Sequence, residues 1–396
     1  MPFYTKSPFE VKVQSKNCLS FAFRVLPLYC RPMIAVVGAS SSGLYLAWCL
    51  AREGRDVHLF ENGEGPSIRR RLIVTPSLLR LLDIPPSMVL SKVKAYEFIS
   101  PKGKGVVPLK QPDLVIERQD LLRMLLKRAE HSGVKIHWEV PFVGFSDGEP
   151  LFLSSRGEES FEVSWIVAAD GARSAVGRAL GLQLEVVHLL QARVILPPSC
   201  PEGLSKIWFR PDLTPYFLWL FPDSPTSGVL GAIAEGKRAV HRAVEELLSS
   251  EGLEAQGYEA GVVTLYQPTF RPERGKILFV GDAAGHVKVT TVGGTVTGLR
   301  GARACARAIL RGGGYLRELL PLRRELLLHR WIRRILNRMG PRHYEGLIRT
   351  IGRGAFLGSF SRDELSSNLP LLPLKAPRAT LKGLCLILRV LLDPHR

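Results

Sequence analysis

The segment from Met33 to Glu61 limits the possible folds more than any other part of the chain. Five apolar residues, Met33 to Val37, lead into Gly38-Ala39-Ser40-Ser41-Ser42-Gly43. An amphipathic run from Leu44 to Glu53 follows, then a second short apolar stretch that stops at Glu61. The hydrophobic period passes from that of a strand to that of a helix and back, which is the pattern of a β-α-β unit. Parallel strands joined in this way need a crossover helix packed on the sheet. Gly38 and Gly43 lack a Cβ, so the backbone N–H groups at the helix start can approach a phosphate closely. Glu61 stands 23 residues after Gly38, the spacing at which an acid reaches the ribose of a bound dinucleotide. Ala39 and Ser42 complete the turn. Ser40 replaces the middle glycine, and its hydroxyl could itself reach a phosphate.

Two further apolar runs end in the same way. Ile277 to Val280 stops at Gly281-Asp282, and small residues then lead through Gly285 to Gly293-Gly294 and a helix expected from Thr295 to Leu310. Such a turn delivers one carboxylate, Asp282, and one helix N-terminus to a polar, partly anionic group. A plainer reading makes Asp282 the cap of a Gly-rich strand-to-helix turn. Val163 to Ala169 stops at Asp170-Gly171, and Arg118 precedes Leu121, Leu122 and Leu125 at helical spacing.

With these four pieces in order, the chain resembles the geranylgeranyl reductase family of flavoproteins, within the wider group of aromatic hydroxylases and flavin halogenases. The resemblance runs from about Met33 to the C-terminus. It implies that the glycine turn, Glu61, Arg118 and Asp282 hold FAD, with Phe142 after the next strand and Gly294-Thr295 beside the isoalloxazine. It also matches Tyr216-Phe217-Leu218-Trp219-Leu220-Phe221-Pro222, followed by Gly228, to the family's substrate strand. Alternation along a strand places Phe217, Trp219 and Phe221 on one face, where they wall a slot for an apolar chain or fill an ordinary core. The family's loop cysteine is missing: Leu72 and Ile73 occupy roughly its position, so a proton must come from elsewhere. Tyr216, Phe217 and Trp219 are the expected chain-positioning residues, and no acid is assigned.

Charge singles out the C-terminal end. The chain carries a formal net charge of +18, and from Gly301 onward there are 19 Lys or Arg against 6 Asp or Glu. Residues 316–339 place leucines, Trp331 and Ile335 in helical rows opposite arginines. That pattern suits an anionic membrane surface, or equally a core-packing helix with a solvated face. Residues 381–392 repeat it more weakly. No apolar run is long enough to span a bilayer. No nucleic-acid motif accompanies the basic charge. The six cysteines, Cys18, Cys30, Cys49, Cys200, Cys305 and Cys385, show no paired spacing, which fits reduced thiols in a cytosol and no metal site. His286 in the flavin loop reads as a solvent-facing residue or an acid.

The expected class is α/β. A Rossmann-like FAD-binding domain uses 33–80, 115–145, 163–180 and 276–310, and a substrate domain on an antiparallel sheet uses 81–112 and 184–275. A helical region follows at 311–396, with 369–377 as a linker between helices. Residues 1–32 are expected to be a loose extension or a misassigned start. The resemblance implies a reductase that saturates geranylgeranyl chains of membrane glycerophospholipids, fed by ferredoxin or NAD(P)H, on the inner face of a membrane in the cytoplasm. Two rivals share the scaffold: a flavin monooxygenase or halogenase, and a non-catalytic prenyl-binding flavoprotein.

Overall fold

The computed structural model describes residues 33–66, 69–352, 361–375 and 377–392. The extension expected at 1–32, with Cys18 and Cys30, lies outside the described residues, as does Ile68 of the loop after Glu61. Two large sheets organise the rest.

The first sheet is the one that the β-α-β unit demanded. Strands β1 (Met33–Val37), β2 (Val57–Phe60), β6 (Lys135–His137), β10 (Val163–Ala168) and β17 (Ile277–Phe279) run parallel in the order β17-β10-β1-β2-β6. The short β16 (Glu273–Arg274) pairs antiparallel with β17 at the edge. Its faces carry α1 (Ser41–Ala51), α2 (Arg118–His131), α3 (Ala175–Ala179) and α5 (Thr295–Arg311). Helix α5 matches the expected bounds to within a residue. A small antiparallel sheet, β7 (Phe142–Ser146), β8 (Glu149–Ser154) and β9 (Gly157–Ser160), packs Phe142 and Phe152 against Phe60 of this domain.

The second sheet runs β15-β11-β14-β13-β12-β4-β5-β3. It contains β3 (Arg71–Val74), β4 (Val89–Ser100), β5 (Gly103–Glu117), β11 (Val186–Ile195), β12 (Leu204–Trp208), β13 (Leu218–Pro222), β14 (Ser227–Ala234) and β15 (Ala255–Thr264). Every pairing is antiparallel except β4 with β12. Residues 71–74, expected with the dinucleotide domain, instead form the edge of this sheet, paired with 114–117 of β5. The long hairpin arm of β5 extends past the expected boundary and recruits them. Leu218, Leu220, Leu230 and Ala232 face α4 (Lys237–Glu251) across one apolar cluster. The period of two then turns Trp219, Phe221, Val229 and Ile233 to the opposite face.

The C-terminal region is helical: α6 (Tyr315–Glu318), α7 (Leu320–Leu336), α8 (Pro341–Gly352), α9 (Leu365–Asn368), α10 (Leu372–Lys375) and α11 (Pro377–Leu392). The expected linker at 369–377 carries short helical turns at 369–371 and 372–375, between α9 and α11. Helix α7 departs from its expected arrangement. Its buried side includes Glu325, His329 and Arg333, spaced four apart, while Trp331 is 61% exposed. The helical period was readable, but the polarity of the inward face is reversed along this row.

Candidate functional site

A cavity of about 1100 Å³ opens between the two large sheets. Its volume exceeds the roughly 300–1000 Å³ that one small ligand needs.

One end is built from the strand ends of the first sheet. Gly38 has φ +105°, and a Cβ there would stand 2.7 Å from the Ala169 carbonyl oxygen; on Gly43 it would stand 2.1 Å from the Gly38 oxygen. Both positions therefore need glycine, and helix α1 starts tight against its own turn. Ser40 caps that helix, its Oγ accepting the Gly43 N–H at 3.2 Å. Glu61 folds back on the turn and accepts the N–H of Ala39 at 2.6 Å and of Gly63 at 3.1 Å. Ser42 Oγ sits where Cβ atoms on Gly281 and Gly298 would have to go, at 2.7 and 2.6 Å. The three loops are thereby locked face to face.

Asp282 and Arg118 both line the cavity, near enough for their charges to interact. A Cβ on Gly294 would be 3.0 Å from Asp282 Oδ1, so the carboxylate abuts the first turn of α5. Burial raises the Asp282 carboxyl above its usual range, against the pull of Arg118 and Arg70, and burial lowers both arginines. Neither the Arg118 guanidinium nor the Asp282 carboxylate has a hydrogen bond to a described residue. Asp170 uses Oδ2 to hold the N–H groups of Ala175 and Val176, at 2.6 and 3.1 Å, and leaves Oδ1 buried and unpartnered. Unsatisfied buried charge beside a glycine cradle and a helix N-terminus is what a polar, phosphate-bearing group would complete. The residues present fit FAD on those grounds.

The other end is apolar. Phe217, Trp219, Phe221 and Ile233 line it from the second sheet, and Phe98, Ile207 and Phe209 continue the wall. Trp219 lies flat because Gly231 opposes it: a Cβ on Gly231 would be 2.4 Å from Trp219 Cζ2. Leu72 and Ile73 line the same space from β3.

Of the residues singled out from the sequence, Gly38, Ala39, Ser40, Ser42, Glu61, Leu72, Ile73, Arg118, Phe142, Asp170, Gly171, Asp282, Gly293, Gly294, Thr295, Phe217, Trp219 and Phe221 share this cavity. Gly43, Gly281, Gly285, Tyr216, Pro222 and Gly228 are not on its wall. The glycines fix backbone approach. The Pro222 carbonyl accepts from Ser91 at 2.7 Å. Tyr216 is buried beneath Arg333, whose guanidinium lies 4.8 Å from the ring centroid, and burial pushes its hydroxyl to about 12. His286 is neither solvent-facing nor an acid: it is buried, which drives its ring down to about 3.

Sequence reasoning missed the polar roof. Arg362 and Asp363 line the cavity, and residues 361–366 are held from five segments of the chain. Thr75 and Lys288 both hydrogen-bond the buried Asp363 carboxylate, Arg300 donates to the Asp363 carbonyl at 2.6 Å, and Arg362 pairs with Asp113. From α7, Glu325 accepts the N–H of Leu365 at 2.7 Å and of Ser366 at 2.8 Å. Burial opposes the Glu325 charge, but hydrogen bonds from His329, Ser366 and these amides overcome it and hold the carboxyl at about 2. Arg333 donates to the carbonyls of Val289 at 3.1 Å, Pro215 at 2.9 Å and Thr290 at 2.6 Å, tying the flavin loop to the start of β13. Partners separated by up to 288 residues leave no local signal. Among the described residues no group of His, Cys, Asp and Glu could hold a metal ion, and no cysteine lines the cavity.

Residues 36–96 match the NAD(P)-binding Rossmann-like domain family and residues 109–196 the FAD binding domain family. The digeranylgeranylglycerophospholipid reductase of Methanococcus vannielii is 24% identical over 300 residues, covering 70% of this chain and 77% of its own length. The geranylgeranyl diphosphate reductase of Synechocystis sp. is 26% identical over 310 residues, covering 70% and 75%. A Thermoplasma acidophilum structure, described as geranylgeranyl bacteriochlorophyll reductase-like, superposes with a TM-score of 0.76 at 16% identity, over 90% of this chain and 99% of that one. A flavin-dependent halogenase superposes at 0.58 with 16% identity, over 85% and 67%. The fold is shared with these two structures, and FAD is the cofactor.

Proposed function

We propose that this FAD-dependent oxidoreductase, a relative of the geranylgeranyl reductases, saturates double bonds of a geranylgeranyl chain carried by a membrane glycerophospholipid. One observation carries the reading: the aromatic wall of Phe217, Trp219 and Phe221 faces the same cavity as Asp282 and the Gly293-Gly294-Thr295 turn. An isolated alkene offers no carbonyl to polarise. Holding it beside the cofactor in a dry slot must therefore supply much of the rate.

When bound and reduced, FAD supplies the hydride that reaches one alkene carbon. The other carbon takes a proton. Lys288 is our candidate for holding it: its ammonium lines the cavity, 3.9 Å from where a Cβ on Gly293 would stand, and is ion-paired with buried Asp363. Glu61 and the N-terminus of α1 would hold the adenosine and pyrophosphate, with Arg118 and Asp170 completing the pocket. Asp282 would accept from ribityl hydroxyls, and the N–H groups at the start of α5 would favour negative charge on the reduced ring. Trp219, Phe217 and Phe221 would align the prenyl chain. Electrons would come from ferredoxin or NAD(P)H, and the protein would work on the cytoplasmic face of a membrane.

Anaerobic incubation of the dithionite-reduced protein with geranylgeranyl diphosphate and with an unsaturated prenyl glycerophospholipid tests this. Mass gains in steps of about two daltons are expected. No gain where a known reductase succeeds, or an oxygenated product in air, overturns it.

A further inference from the structure

The C-terminal helix α11 presents an apolar stripe to solvent. Leu381, Leu384, Leu388 and Leu391 are 64%, 54%, 55% and 48% exposed. Their spacing of three, four and three places them on one side of the helix. Leu374, in the preceding α10, is 82% exposed as well. A contiguous leucine surface of this kind marks an interaction site.

Charge indicates the partner. From 365 to 392 the sequence contains no Asp or Glu; Arg378, Lys382 and Arg389 are exposed, and helical spacing puts them along one border of the stripe. A leucine band with cations along its edge suits the boundary between anionic headgroups and acyl chains. The inward side of α11 points the same way. Leu386 and Val390 pack in one cluster with Tyr344, Phe209 and Leu336, and Phe209 and Leu336 also line the apolar end of the cavity. Phe209 stacks on Tyr344 at 4.6 Å and on Phe98 at 6.0 Å. The inward face of α11 thus shares one apolar cluster with residues that line the place where a prenyl chain would lie.

We infer that α11 is the element that docks this protein on an anionic bilayer, and that it sets the apolar end of the cavity against the lipid chains. The inference rests on the lipid-substrate reading above and replaces the basic face of α7 as the docking element. Helix α7 turns Glu325, His329 and Arg333 inward to hold the cavity roof. Helix α11 lies flat in the interface: among the described residues no helix is long and apolar enough to cross a membrane.

The test uses the full-length FAD-loaded protein and vesicles of phosphatidylglycerol and phosphatidylcholine. Leu384→Glu with Leu388→Glu should weaken co-sedimentation by about a hundredfold or more, from the loss of two buried leucines. Lys382→Glu or Arg389→Glu should weaken it by at least about fivefold per site, on anionic vesicles only and less at high salt. In the unaltered protein, amide exchange in 381–391 should slow when vesicles are added, which locates the contact even if a variant folds poorly. Undiminished vesicle binding by the double variant, unchanged exchange, or failure of the unaltered protein to bind would each overturn the inference. So would a dimer that the double variant dissociates while vesicle binding is absent. Turnover of geranylgeranyl diphosphate in detergent separates the two readings. A double variant active there but inactive on vesicle-borne lipid supports docking, whereas an unaltered protein inactive in detergent counts against the reductase reading alone.

Discussion

Replacing Gly231 by alanine perturbs the substrate wall with a single methyl group. The added Cβ would stand 2.4 Å from Trp219 Cζ2, 2.7 Å from Cε2 and 2.8 Å from the backbone oxygen of Leu190. Ordinary carbon contacts begin near 3.4 Å, so the indole must retreat by about 1 Å. The Leu190 carbonyl belongs to the β11–β14 pairing and cannot yield, which leaves the cavity as the only direction of escape. Overpacking of this size costs about 1–3 kcal/mol of stability. A displacement of about 1 Å at a group that aligns the reacting bond costs on the order of tenfold to a hundredfold in turnover. FAD content should not change, because Gly231 lies behind Trp219, at the apolar half of the site. The assay pairs chemical denaturation with mass-resolved reduction of geranylgeranyl diphosphate, for Gly231→Ala, Trp219→Phe and the double variant. The smaller ring makes room for the methyl, so the double variant should be more stable than the sum of the singles by about 1 kcal/mol or more. Strict additivity, or a single Gly231→Ala protein with unchanged stability and turnover, would refute the argument that this glycine exists to seat the indole.

Four further outcomes follow from the same contacts. Asp282→Ala should weaken FAD binding by about tenfold to a hundredfold, as expected for loss of one charge-assisted interaction, read from flavin absorbance after dialysis; full flavin retention counts against a role for the carboxylate. Lys288→Met should slow oxidation of the reduced flavin by prenyl substrate by about a hundredfold or more per bound flavin in a stopped-flow trace, and a normal rate removes Lys288 as proton source. Arg333→Met strands three carbonyls and should cost at least about 3 kcal/mol in a denaturant titration. Glu325, held at about 2 against a usual 4.5, is depressed in the folded state, so its contribution of about 3 kcal/mol is present above pH 4.5 and is lost as pH falls from 4.5 toward 2. Glu325→Gln should flatten the stability profile in that window, and an unchanged slope contradicts the assignment.

The sequence exposed the parts of the site that depend on local geometry. Gly38, Gly43, Glu61, Asp170 and Asp282 each stand where an apolar run breaks at a turn, and strand-to-helix chemistry confines them to one end of a sheet. Trp219 and its neighbours were visible for the same kind of reason, since a period of two divides β13 into two faces. The polar roof was invisible. Asp363 reaches Thr75 and Lys288 across 288 and 75 residues, and no periodicity encodes such a meeting. Tyr216 shows the limit of motif reading, because it lies one residue from a cavity-lining phenylalanine yet is buried beneath Arg333 and off the cavity wall. Helix α7 shows another limit: its arginines count toward a basic face in the sequence, yet Arg333 is buried where three carbonyls need donors.

Residues 361–366 act as a single bolt through the molecule. They fasten the end of β3 at Thr75, β5, the flavin loop, α5 and α7 within one short run, so no one of these can swing aside without straining the others. Cofactor and roof should accordingly be lost together on heating, as one event. A cut that freed this run would loosen the flavin loop as surely as a change in the loop itself.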